Sequence, residues 1–207
     1  MKKIFKISAI LIITILSVQI FAVDKNIDGK IGTAYASGPQ KMGLDVELDY
    51  FYELDPFFAI GASTGMFWLQ WSKKLSSEEA SSTNLNLSKE ETFNAFMIPF
   101  LAQAQVRLPN FKESIGITPY FGGGLGFSMM SYSYFNGEKD VVDWFSGFTW
   151  IINAGVAYSP SASSNIEFLG QLGYRGAKLN MEDRTADMSG VGFFAGVRYL
   201  ISSRSAY

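Results

Sequence analysis

Met42-Gly-Leu-Asp-Val-Glu-Leu-Asp-Tyr-Phe-Tyr52 alternates with a period of two. Met42, Leu44, Val46, Leu48, Tyr50 and Tyr52 fall on one face, and Gly43, Asp45, Glu47, Asp49 and Phe51 fall on the other. A helix would scatter these residues around its axis, whereas a β-strand sends successive side chains to opposite faces. Three carboxylates on one face need water or counter-charges beside them.

The same alternation recurs along the chain. A weaker strand near residues 30–37 has Ile31, Thr33 and Tyr35 on one side. In 57–71, Phe58, Ile60, Ala62, Thr64, Met66 and Trp68 oppose Ala59, Gly61, Ser63 and Gly65. In 93–108, Phe96, Ile98, Phe100, Ala102, Ala104, Val106 and Leu108 oppose Pro99, Leu101, Gln103, Gln105 and Arg107. Segments 118–132, 146–159, 165–176 and 189–201 repeat the pattern, with Glu167, Arg175 and Arg198 on the small or polar face. The count is eight strands, an even number. Glu53–Pro56, Pro109–Gly116 and Ser159–Ser164 connect them at one end. At the other end lie Ser37–Lys41, Ser72–Thr92, Ser133–Phe145 and Ala177–Met188, mostly longer and polar. Short turns at one end and longer loops at the other suit a membrane barrel.

Residues 1–22 are expected to be a cleaved signal peptide: Lys2, Lys3 and Lys6 precede an uncharged apolar stretch from Ile7 to Ile20, and Ala22 suits the cleavage position. An uncleaved anchor is the alternative. Cleavage removes three lysines and no acid from a chain with 17 basic and 19 acidic residues, so the mature protein (23–207) is acidic and unsuited to tracking nucleic acid. With no cysteine there is neither a disulfide nor a lipid-modified N-terminal Cys. Beyond residue 22 no apolar run is long enough for a membrane helix, so a mature chain that spans a bilayer must do so as a closed barrel.

A soluble barrel and a membrane barrel share this alternation and differ in phase. A narrow eight-stranded interior favours small residues, and one face here is rich in Gly, Ala, Ser and Gln. That face also carries both charge signs: Asp45, Glu47, Asp49 and Glu167 are expected to pair with Arg107, Arg175, Arg198 and Lys30 as a lumenal charge network. The apolar face carries no charge and gathers Tyr50, Tyr52, Phe58, Trp68, Trp150, Tyr158, Tyr174 and Tyr199, with Phe96 and Phe148, near strand ends, as interfacial aromatic girdles do. The expected fold is therefore all-β: an eight-stranded antiparallel up-and-down transmembrane β-barrel behind a signal peptide. An interior ion-pair network that partly plugs the barrel is expected; a water-filled lumen is the competing explanation for the same charges.

Thr118–Ser128 (TPYFGGGLGFS) and Ser189–Ile201 (SGVGFFAGVRYLI) resemble strands of the small outer-membrane barrels, the group of OmpW, OmpX and the OmpA transmembrane domain. The resemblance spans residues 28–201. The final Tyr207 matches the group's aromatic C-terminus loosely, because residues 202–206 are too polar for the usual ending. The resemblance implies an outer-membrane location with a periplasmic N-terminus. It also implies contact with outer-membrane lipid and the outer-membrane assembly machinery, and OmpW-like passage of small, hydrophobic solutes.

Little in the chain suggests catalysis. It has no histidine, which removes the commonest general base at neutral pH and the Ser-His-Asp triad. No catalytic residue, cofactor or metal site is expected. Gly122-Gly-Gly-Leu-Gly126 is followed by strand-like residues rather than a helix, so narrow-lumen packing explains it better than phosphate binding. Asp45, Glu47 and Asp49 suit a cation or proton site less well than a salt-bridge set. Asp140, Asp143, Glu182 and Asp183 are better taken as solvated loop charge than as calcium ligands. The expected function is that of a non-enzymatic barrel with narrow or OmpW-like passage of small solutes. The alternative is a structural or surface-adhesion barrel with a plugged lumen, in which the 72–92 loop meets host surface molecules.

Overall fold

The computed structural model describes residues 24–74, 90–135, 140–161 and 164–202. The signal segment, residues 75–89 with Leu85 and Leu87 (expected to extend their hairpin beyond the membrane), and Tyr207 lie outside the described residues. The strands are β1 (Asp24–Ala36), β2 (Lys41–Glu53), β3 (Phe58–Lys74), β4 (Glu90–Arg107), β5 (Ile117–Phe135), β6 (Asp140–Tyr158), β7 (Ile166–Met181), β8 (Arg184–Asp187) and β9 (Gly190–Ser202), and one helix, α1 (Asn110–Ile115), joins β4 to β5.

Each strand pairs antiparallel with its neighbours. β6 pairs with β7, β7 with β9 and β9 with β1, which closes an eight-strand wall. Closure leaves the wall without an edge. β8 is not part of the wall; it folds back on Lys178–Met181 of β7 and extends that hairpin beyond the barrel.

The connections differ from expectation in four places, the first being Ser72–Thr92, whose two ends pair as β3 and β4 from Ser72–Thr92 to Lys74–Glu90. Ala177–Met188, taken from sequence as a loop, is mostly strand: β7 runs on to Met181 and turns through Glu182-Asp183 into β8, with Glu182 at φ 49°. Ser133–Phe145 is likewise largely paired, since β5 continues to Phe135 and β6 begins at Asp140. Pro109–Gly116 holds α1, which ends where Gly116 (φ 69°) donates its N–H to the Lys112 carbonyl at 2.9 Å. Glycine takes that left-handed conformation without steric cost.

The alternation decides what faces where. Phe121, Leu125, Phe148 and Phe193 are 56–60% exposed on the outer surface, while Asp28 and Arg198 are 1% exposed inside. Met42 and Val197 also point outward, and Asp45 and Arg107 are buried. This is an inside-out protein, and burying the exposed apolar belt against lipid supplies the driving force that a soluble core would give. Trp150 lies across Gly176 so closely that a Cβ there would sit 2.2 Å from the indole, and its ring packs on Tyr174 at 5.5 Å. Inside, Gly155 leaves the space that the Tyr120 phenol fills.

Pro99 sits in mid-strand in β4, where it has no N–H to give the ladder. The β3–β4 pairing skips from Thr64–Phe100 to Phe67–Met97 at this point, and the Thr64 hydroxyl donates to the Pro99 carbonyl at 2.9 Å.

Candidate functional site

The lumen carries the unusual chemistry. Residues of alternate parity on every strand point inward, so a barrel this narrow brings together side chains far apart in sequence. They stack in tiers from the short-turn end to the long-loop end.

The lowest tier centres on Arg198 of β9. Its Nε and Nη2 donate to both oxygens of Asp28 on β1, each at 2.7 Å, and Nη2 also donates to Gln105 Oε1 at 3.1 Å. The same Gln105 oxygen accepts from Arg107 Nε at 2.7 Å, and Arg107 pairs with Glu53. Glu167 lies 3.8 Å from Arg198 and accepts from Ser159 and from Lys112 of α1, each at 2.7 Å. Two-pronged guanidinium–carboxylate pairing is a strong and directional form of ion pair.

The middle tier centres on Lys30. Its ammonium sits 2.7 Å from both Glu47 and Asp49 and donates to Gln171 Oε1 at 3.0 Å. Tyr120 also donates to Gln171, at 3.2 Å. The carboxylates of β2 thus surround a lysine of the same chain, which occupies the place a bound cation would need.

In the upper tier, Arg175 pairs with Asp45 at 2.7 Å, and its guanidinium lies 4.3 Å from the Phe67 ring centroid. Above it the interior turns apolar. Ala36, Phe67, Leu69, Ala95, Met97, Met130, Ala177, Leu179 and Met188 form a buried cluster across the barrel. Among the middle and upper tiers lies a void of about 30 Å³ bordered by Asp45, Glu47, Asn153, Gln171 and Arg175.

All eight residues singled out as lumenal charges, Lys30 among them, therefore lie inside the wall, Glu47 the most open of them. Sequence reasoning missed Asp28, Asn26, Glu53 and Lys112, and it missed the apolar layer altogether. Asp28 shares the parity of Asn26 and Lys30, which was the available signal; Glu53 and Lys112 sit in segments taken as turns. The aromatic set faces outward, with Tyr50 and Tyr52 edge-to-face at 5.0 Å. Phe58, Tyr158 and Tyr199 lie near the turn ends of their strands and Trp68 lies on the loop side, but Trp150 and Tyr174, expected near strand ends, lie mid-strand, Trp150 opposite Leu125, because β6 and β7 run on into the raised hairpins. Asp143, one of the loop acids, pairs with Arg184 at 2.8 Å. Among the described residues no cluster of His, Cys, Asp or Glu is arranged to hold a metal ion.

Solved structures share this architecture. Neisserial surface protein A matches with a TM-score of 0.54 at 17% identity, covering 85% of this chain and 95% of that one. The outer membrane protein OprG from Pseudomonas aeruginosa matches with a TM-score of 0.55 at 14% identity, covering 88% and 97%. The chain has the fold of the small eight-stranded outer-membrane barrels. No family model matches it, and no curated protein does. Within that barrel fold the identity is too low to carry over a residue's role, so function has to come from this barrel's own interior and rim.

Proposed function

We propose that this protein is a closed outer-membrane barrel, spanning the bilayer without conducting along its axis and acting through its outward-facing end. The observation that supports this is the occupied lumen: three ionic tiers and an apolar layer cross it, the void among the upper tiers is only about 30 Å³, and the larger cavity bordered by Arg107 and Arg198 lies at the short-turn mouth below them. Among the described residues each buried charge has an ion-pair partner, as a stable interior requires. Passage of small solutes along the barrel axis needs a continuous path, and the packed interior favours the plugged, structural or surface-binding alternative. The outer apolar belt is suited to lipid, with Phe58, Tyr158 and Tyr199 at its short-turn border and Trp68 toward the other. The Asp24 end and the short turns would face the periplasm, leaving the raised hairpins outside.

Planar-bilayer recording of the refolded full chain tests this. No stepwise conductance above the lipid baseline is expected. Regular single-channel currents from the wild type would contradict the closed lumen and favour solute passage.

A further inference from the structure

Above the apolar layer the strands continue, and they do so unevenly. β3, β4, β5 and β6 rise as a sheet on one side, with Phe93 paired to Tyr134. The β7–β8 hairpin rises opposite, and the β1–β2 turn at Gly38-Pro39 forms a low wall. They enclose a cup of about 730 Å³, within the range of small-molecule sites. Its lower end is blind, because Phe145 and Met188 belong to the apolar layer that closes the lumen.

The cup is lined by aromatic rings already fixed by one another. Trp71 stacks on Phe93 at 5.4 Å and 19°, lies 5.8 Å from Tyr132, and Tyr132 meets Phe145 edge-on at 6.2 Å. Rings so held present an apolar surface to a ligand at little cost in side-chain ordering. The rim holds charge of both signs, most of it engaged. Arg184 pairs with Asp143 at 2.8 Å, and Asp187 accepts the Ser189 N–H at 2.9 Å. Lys41 makes no ion pair with any described residue, while Asp187, the carboxylate bordering the cup without an ion pair, is tied to the Ser189 N–H, so Lys41 is the rim charge open to a ligand.

We propose that this cup binds a small organic anion bearing a flat apolar ring, the ring lying against Trp71 and Tyr132 and the acidic group meeting Lys41. The proposal rests on the outward-facing end being the working end, but its test is separate: currents probe the lumen and a titration probes the cup.

The full chain in nanodiscs of zwitterionic phosphatidylcholine should be titrated with 2-naphthoate and followed through the indole N–H signals of Trp68, Trp71, Trp144 and Trp150. Saturable binding of one molecule per barrel is expected, shifting the Trp71 signal most and leaving the lipid-facing Trp68 and Trp150 signals in place. Neutral 2-naphthylmethanol should bind about tenfold more weakly. Lys41→Gln should weaken naphthoate binding about tenfold without changing the neutral compound. Trp71→Ala should abolish saturable binding while the other three indole signals show an intact barrel. Non-saturable shifts at Trp68 and Trp150, equal binding of the neutral compound, or naphthoate binding unchanged in Lys41→Gln would each overturn the proposal.

Discussion

Replacing Arg198 with leucine should destabilise the folded barrel by about 3–5 kcal/mol, the cost of leaving a buried charge without its partner. Asp28 is 1% exposed and takes both of its strong hydrogen bonds from this guanidinium. Without Arg198, Asp28 is left without its ion-pair partner in a closed space, and Gln105 and Glu167 lose a neighbour. The double variant Arg198→Leu with Asp28→Leu should recover much of the loss, because replacing both members of a buried pair with apolar groups is often neutral. Urea unfolding of the protein in vesicles, followed by tryptophan fluorescence, measures both. A single variant as stable as the wild type would mean that water reaches this tier and the lumen is open.

The second large effect belongs on the outer wall. Leu125 is 60% exposed and lies mid-strand in β5, between Ala102 and Trp150. Leu125→Arg is expected to cost about 2–4 kcal/mol in a bilayer, the penalty for a basic side chain near the midplane of a barrel's lipid face. In a soluble protein the same change at so exposed a position would be close to neutral. The same urea unfolding in vesicles separates the two cases. An unchanged midpoint would remove the lipid from around β5.

The period of two made most of the wall legible. In β2, parity alone separated Asp45, Glu47 and Asp49 from Leu44, Val46 and Leu48, and the structure keeps that division. The pairing of those charges was not legible. Arg198 and Asp28 lie 170 residues apart and Arg175 and Asp45 130 apart, and they meet because closure brings β9 to β1 and sends side chains across the lumen. The apolar layer was hidden for a different reason. Phe67 and Leu69 share parity with Ser63 and Gly65, so one strand face changes from polar to greasy partway up, and a parity count averages over the change. Met97, Met130 and Leu179 repeat that change on β4, β5 and β7. The β7–β8 turn was missed because Glu182-Asp183 lacks the Asn-Gly or Asp-Gly signature of two-residue hairpins.

The most direct test of the inverted architecture uses the absence of native cysteine. Spin labels attached through single cysteines at Leu125 and Gln103, in the full chain reconstituted into phospholipid vesicles, should be compared for collision with oxygen, which concentrates in lipid, and with a water-soluble nickel chelate. The label at Leu125 should collide freely with oxygen and hardly at all with nickel, while the label at Gln103 should be shielded from both. A label at Leu125 that meets nickel as readily as one on an exposed loop would contradict the account.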